Sequence, residues 1–171
     1  YSFSTGLVVM KGSYSLIIEA PEKEVEIGAL GLKEFDSQYL VYNGSAFGPG
    51  GLKRVLRHFS TEKKLHWHID YLLKEGEVEA ALIFPEKDIE CDLSSKIEGL
   101  EVEGFGCSDC GCVSHLVEFD SFENAFSIAE LFSNVKVLDS DRYNEYKNGE
   151  GDKSVDDLFS DLPDAEAYQE R

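Results

Sequence analysis

Residues 13–20 read SYSLIIEA and residues 38–44 read QYLVYNG. In the first, Tyr14, Leu16 and Ile18 alternate with their neighbours at the two-residue period of a strand that turns one face to a core, and Pro21 closes it. The second is rich in strand-forming residues and is expected to stop at Asn43-Gly44. Between them, residues 25–35 make an extended piece broken by Gly28 and Gly31. Together the three predict an antiparallel meander. The glycine-rich loop GSAFGPGG at 44–51 then leads into Leu52, Val55, Leu56 and Phe59, which recur as one apolar face of a helix. Arg54, Arg57 and His58 are expected on the other face.

Further along, residues 69–74 suggest a short helix and residues 78–84 a buried strand halted by Pro85. Asp88 can cap a helix whose apolar stripe is Ile89, Leu93 and Ile97, which leaves Glu90 off the stripe. Residues 99–112 are glycine-rich and irregular, 115–119 form a last strand, and 121–132 a helix with Phe122, Phe126 and Ala129 at helical spacing. The expected fold class is therefore α/β (α+β): a small three-stranded antiparallel sheet flanked by helices, with extra strands and an acidic C-terminal extension. Residues 11–119 would be the main domain, 120–138 a helix and strand packed on it, and 139–171 an acidic, flexible tail.

With 171 residues, 42% of them hydrophobic, the chain is long enough to bury a core. No apolar run approaches the roughly 20 residues that span a bilayer. The opening residues make a poor signal peptide, and Met10, the one methionine, is a candidate natural start. Four cysteines (Cys91, Cys107, Cys110 and Cys112) without a secretion signal suggest reduced thiols and a cytoplasmic location. The net charge of −18 runs against a nucleic-acid partner, but it is not uniform. Residues 53–68 hold Lys53, Arg54, Arg57, Lys63 and Lys64 against the single acid Glu62. Such a local concentration of cations is what a phosphate backbone requires.

Gly12-Ser13-Tyr14 on the first predicted strand and Tyr42-Asn43-Gly44 on the third resemble the paired signatures of the GIY-YIG nuclease superfamily. Arg54 fits that family's arginine on the following helix. Glu90, in Ile89-Glu90-Cys91-Asp92-Leu93, fits its helix-start glutamate. The stretches HWHIDYL, ECDL and FGCSDCGCVSHL are similar to the stand-alone Uri-type branch, and the resemblance covers residues 11–119. Ser13 and Asn43 depart from it, standing where the family carries aliphatic residues. The resemblance implies a metal-dependent endonuclease acting on DNA, with damaged, branched and single-stranded forms as candidate substrates.

The residue types suit that chemistry. Glu90 is a hard oxygen ligand for magnesium or manganese, Arg54 can grip a non-bridging phosphate oxygen, and Tyr14 is the candidate proton acceptor, with Tyr42 beside it. A phenol with a reference pKa of about 10 is a poor base unaided, so His58 is an alternative. Gly44, Ser45, Lys53, Arg57, Lys63, Lys64 and His115 are expected along the nucleic acid. Cys107, Cys110, Cys112 and His115 present three thiols and an imidazole to a possible zinc ion, although the Cys-x-Cys step is cramped for such a site. Ordinary structural readings stand beside these: tyrosines filling a core edge, an acid stabilising a helix start, and residues 66–70 forming an aromatic turn anchored by Trp67 in which His66 or Asp70 bonds backbone. The corresponding alternative function is a non-catalytic nucleic-acid- or protein-binding module, zinc-stabilised or not.

Overall fold

A computed structural model of the chain describes residues 11–48, 50–60, 68–89, 100–101, 115–149 and 155–168. Its centre is β1 (Gly12–Glu19), which pairs antiparallel with β4 (Tyr39–Ala46) on one side and β5 (Glu77–Pro85) on the other. Beyond β4 lie β7 (Leu116–Phe119) and the two-residue edge piece β6 (Leu100–Glu101); beyond β5 lies β8 (Lys136–Asp139). The six-stranded order is β6-β7-β4-β1-β5-β8. The expected meander is therefore corrected. Residues 25–35 supply only β2 (Val25–Glu26) and β3 (Leu32–Lys33), a separate small sheet joined through a turn of 3-10 helix at Gly28–Leu30. Gly28 and Gly31 both have positive φ there, so the chain folds back on itself instead of running the length of β1. The third strand of the central trio is β5.

Both faces of the sheet are apolar, because alternate residues on each strand pack against a separate layer. Leu16, Ile18, Leu40, Ile83 and Leu138 belong to one core, and Ile17, Val41, Leu82, Phe84 and Val117 to the other. The first core is covered by α1 (Lys53–Phe59) and α2 (His68–Leu73). Against the second pack α3 (Phe122–Phe126) and the 3-10 turn Ser127–Leu131. Ser121 caps α3 by accepting from Asn124 N at 3.1 Å. The single helix expected over 121–132 thus tightens into 3-10 geometry after Phe126.

The C-terminal segment also differs from expectation. Residues 140–147, 155–160 and 165–168 form α4 (Ser140–Lys147), α5 (Val155–Ser160) and α6 (Ala165–Tyr168). Tyr143, Leu158, Phe159, Leu162 and Ala165 are buried. Large apolar side chains each contribute about 1.5–3 kcal/mol on burial, which offsets the cost of ordering an acidic, otherwise polar segment. Val137 N and Ala165 N bond across to Pro163 O and Val135 O at 3.0 and 2.8 Å, fastening the segment beside β8. Among the described residues no helix is long and apolar enough to cross a membrane.

Candidate functional site

Tyr14, Leu16 and Ile18 share one face of β1, and Leu40, Tyr42, Gly44 and Ala46 share the same face of β4. Antiparallel register sets Tyr14 opposite Gly44 and Leu16 opposite Tyr42. A Cβ on Gly44 would sit 2.5 Å from the Tyr14 hydroxyl oxygen and closer still to the ring. The glycine is therefore required by the phenol that crosses it, and β4 stays paired with β1 as far as Ala46 instead of stopping at Asn43-Gly44. Gly44, expected along a nucleic acid, has a sufficient reason inside the protein.

The helix α1 lies over this face, with Val55 and His58, one turn apart, both buried. His58 thus faces the sheet and not the solvated side expected for it. Its Nε2 is 2.9 Å from the Tyr14 hydroxyl, and each residue is 2% exposed. The phenol donates when Nε2 is bare and accepts when Nε2 carries the proton. The imidazole also meets Tyr42 edge-on, with ring centroids 6.2 Å apart. One helix turn earlier, Arg54 Nη1 donates to Ser45 O at 3.1 Å. Its other terminal nitrogen lies 3.2 Å from where a Cβ on Gly48 would be, so the glycine-rich loop makes room for the guanidinium. Tyr14, Tyr42, His58 and Arg54 therefore gather between the β1–β4 face and α1.

Arg57 is directed elsewhere. Its Nη2 donates to Asp70 Oδ2 at 2.8 Å, and the Asp70 side chain is fully buried. This pair joins α1 to α2 and compensates one of the cations counted on the basic segment. Lys53 is exposed and Ser45 half-buried.

The opposite face of the same strands carries a polar set of which sequence reasoning registered Ser13 and Asn43 as departures from an aliphatic pattern and missed Ser15. Ser15 Oγ donates to Asn43 Oδ1 at 2.6 Å, and both side chains are fully buried. Ser13 Oγ donates to Lys87 O at 2.6 Å and accepts from Ile89 N at 3.0 Å. Asn43 N in turn donates to His115 O at 2.9 Å. Burial holds His115 below the ordinary histidine pKa, so its neutral form is favoured. The signal for this set was present in the alternation itself: Ser13, Ser15 and Asn43 hold the positions opposite in phase to Tyr14 and Tyr42.

Glu90, Lys63, Lys64, Cys91, Cys107, Cys110, Cys112, the helix expected after Asp88, the turn at 66–67 and Met10 lie outside the described residues. Ile89, immediately before Glu90, is held at Ser13 and packs with the second core, on the face opposite Tyr14. Among the described residues no group of three or more His, Cys, Asp or Glu side chains stands together as a metal site.

The sequence profile of a domain of unknown function, DUF123, matches residues 13–137. The chain belongs to the DUF123 family. No curated protein and no solved structure matches it. The DUF123 match begins at Ser13 in β1 and ends at Val137 within β8, so it takes in the sheet, α1 and α2. The helices α4, α5 and α6 lie beyond the match yet bury their side chains in the same cores.

Proposed function

We propose that this DUF123 protein is a metal-dependent endonuclease that hydrolyses phosphodiester bonds in DNA, as its resemblance to the GIY-YIG superfamily implies. The observation that carries the reading is the Tyr14 hydroxyl at 2.9 Å from His58 Nε2, beside Tyr42 and one turn from Arg54. A phenol is too weak a base alone near neutral pH, but one bonded to an imidazole can pass its proton on. The pair would accept the proton of the attacking water, and Arg54 would hold a non-bridging oxygen and meet the charge developing there. Glu90 is the proposed metal ligand, since magnesium keeps several waters and needs only one or two carboxylates. When bound, magnesium or manganese supplies charge neutralisation at the phosphate. Lys53, Lys63 and Lys64 would meet the backbone of the nucleic acid.

The burial of Tyr14 and His58 favours a second reading. A 2% exposed pair also serves as a satisfied core hydrogen bond between β1 and α1, and a non-catalytic nucleic-acid- or protein-binding module needs nothing more of it. Its possible zinc would fall to Cys107, Cys110, Cys112 and His115. Labelled single-stranded, duplex and branched DNA, incubated with magnesium, manganese or EDTA, separates the two. The nuclease reading expects cleavage that EDTA abolishes and Tyr14→Phe greatly slows; intact DNA throughout favours the binding module.

A further inference from the structure

On the second-core face, at the end of β1 away from Tyr14, four aromatic rings line one part of an open cavity of about 510 Å³. Phe122 stacks on Phe126 at 5.8 Å between centroids, and Phe126 stacks on Tyr168 at 5.5 Å, the planes in each pair inclined by 24°. Tyr39 stands against Phe122 at 6.0 Å and 72°, nearly at right angles. The rings come from β4, α3 and α6, and Tyr168 is anchored by donating its hydroxyl to Asp139 Oδ2 at 2.9 Å. The remaining wall is acidic: Glu79, Glu123 and Glu130 line the cavity, and among the described lining residues there is no lysine or arginine.

We propose that this cavity is a binding site for an alkylated ammonium cation, the positive head resting on the ring faces and the glutamates balancing its charge. Aromatic rings attract cations through their negative faces, and a methylated ammonium, weakly hydrated, loses little on leaving water. A hard metal ion would need converging oxygens, and among the described residues these glutamates do not stand together as a metal site. A neutral apolar ligand would desolvate carboxylates without compensation. The negative character of this end is felt by Tyr39, whose phenol is held above its ordinary pKa by burial first and then by Glu79 and Glu19. The chain's net charge of −18 adds a general attraction for cations. The cavity's size admits a head group together with the chain that carries it. That chain is either a small free molecule or the side chain of a methylated lysine in another protein.

The test is calorimetric titration of the full chain with choline, and with 3,3-dimethylbutan-1-ol, which has the same shape without the charge. Choline should bind at least about tenfold tighter than the alcohol. Phe122→Leu, which keeps apolar bulk but removes the ring, should weaken choline about fivefold. Glu123 is exposed, so Glu123→Gln should fold normally, weaken choline and leave the alcohol unchanged. A trimethyllysine peptide that competes with choline and binds much tighter than its unmethylated counterpart supports the site with a protein as the source of the cation. A peptide no better than choline supports it with a free small molecule. Equal affinity for choline and the alcohol, or no binding of choline, overturns the proposal.

Discussion

The Tyr14 hydroxyl and His58 Nε2 lie 2.9 Å apart although 44 residues separate them in the chain. If this contact takes part in proton transfer, Tyr14→Phe and His58→Gln should each lower cleavage by about 10²-fold or more. Removing the hydrogen bond should also cost about 1–3 kcal/mol of stability, because the groups are buried. Rates must therefore be measured below the unfolding transition of each variant. A folded Tyr14→Phe that cleaves at the parental rate would sink the proton-transfer role.

Glu90→Gln keeps size and hydrogen-bonding capacity but removes the charge proposed to hold the metal. Magnesium-dependent cleavage should fall by orders of magnitude, while DNA affinity survives or improves as a negative charge leaves the groove. Arg54→Ala should lower both, since it meets phosphate in the ground state and in the transition state. Steady-state cleavage and fluorescence-anisotropy binding on the same preparations separate the two effects.

Arg57 and Lys53 should behave differently towards DNA. Arg57 is paired with the buried Asp70 carboxylate, so Arg57→Ala should change the salt slope of DNA binding less than Lys53→Ala, whose cation is exposed. Asp70→Ala should instead destabilise the protein, because the half-buried arginine loses the carboxylate that ties α1 to α2. Urea unfolding of the two variants reads this directly.

Gly44→Ala drives a methyl group into the Tyr14 ring. Overpacking of this kind typically costs about 1–3 kcal/mol. Combining it with Tyr14→Ala should give a double variant more stable than the sum of the two single losses predicts, since the clash disappears with the ring. Strict additivity in thermal unfolding would mean that the strand register in solution differs from the one described.

Burial depresses the pKa of His115 and, to the same sign, that of His68. As pH falls through the unfolded value of about 6.5, the unfolded chain takes up these protons first. Stability should therefore decline from about pH 6.5 down to the folded-state pKa values, below which these two groups add no further slope. Replacing His115 by Gln should flatten the decline in ΔG of unfolding between pH 7.5 and 5.5; an unchanged slope would assign it to other groups.

The sequence by itself determined the local elements whose periodicity is strong. The alternation in SYSLIIEA sets Tyr14, Leu16 and Ile18 on one face of a strand, and the spacing of Leu52, Val55, Leu56 and Phe59 makes a helix, because side-chain direction follows directly from backbone period. The family resemblance also brought Tyr14, Tyr42, Arg54 and Glu90 forward as a group, of which Glu90 lies outside the described residues. Only the tertiary structure decided which strands pair. Residues 25–35 and β5 are both extended and apolar in places, and it is the glycine reversal at 28–31 that removes the first and leaves the edge of β1 to the second. The same holds for His58: helical position puts it at the margin of the apolar stripe, and the Tyr14 hydroxyl beneath that margin turns it inward. Nor does a periodic reading find the partner of Arg57 or the burial of Leu158 and Phe159. A buried carboxylate needs a cation brought from another helix, and a few apolar residues in an acidic segment find a core only when the rest of the fold has already formed one.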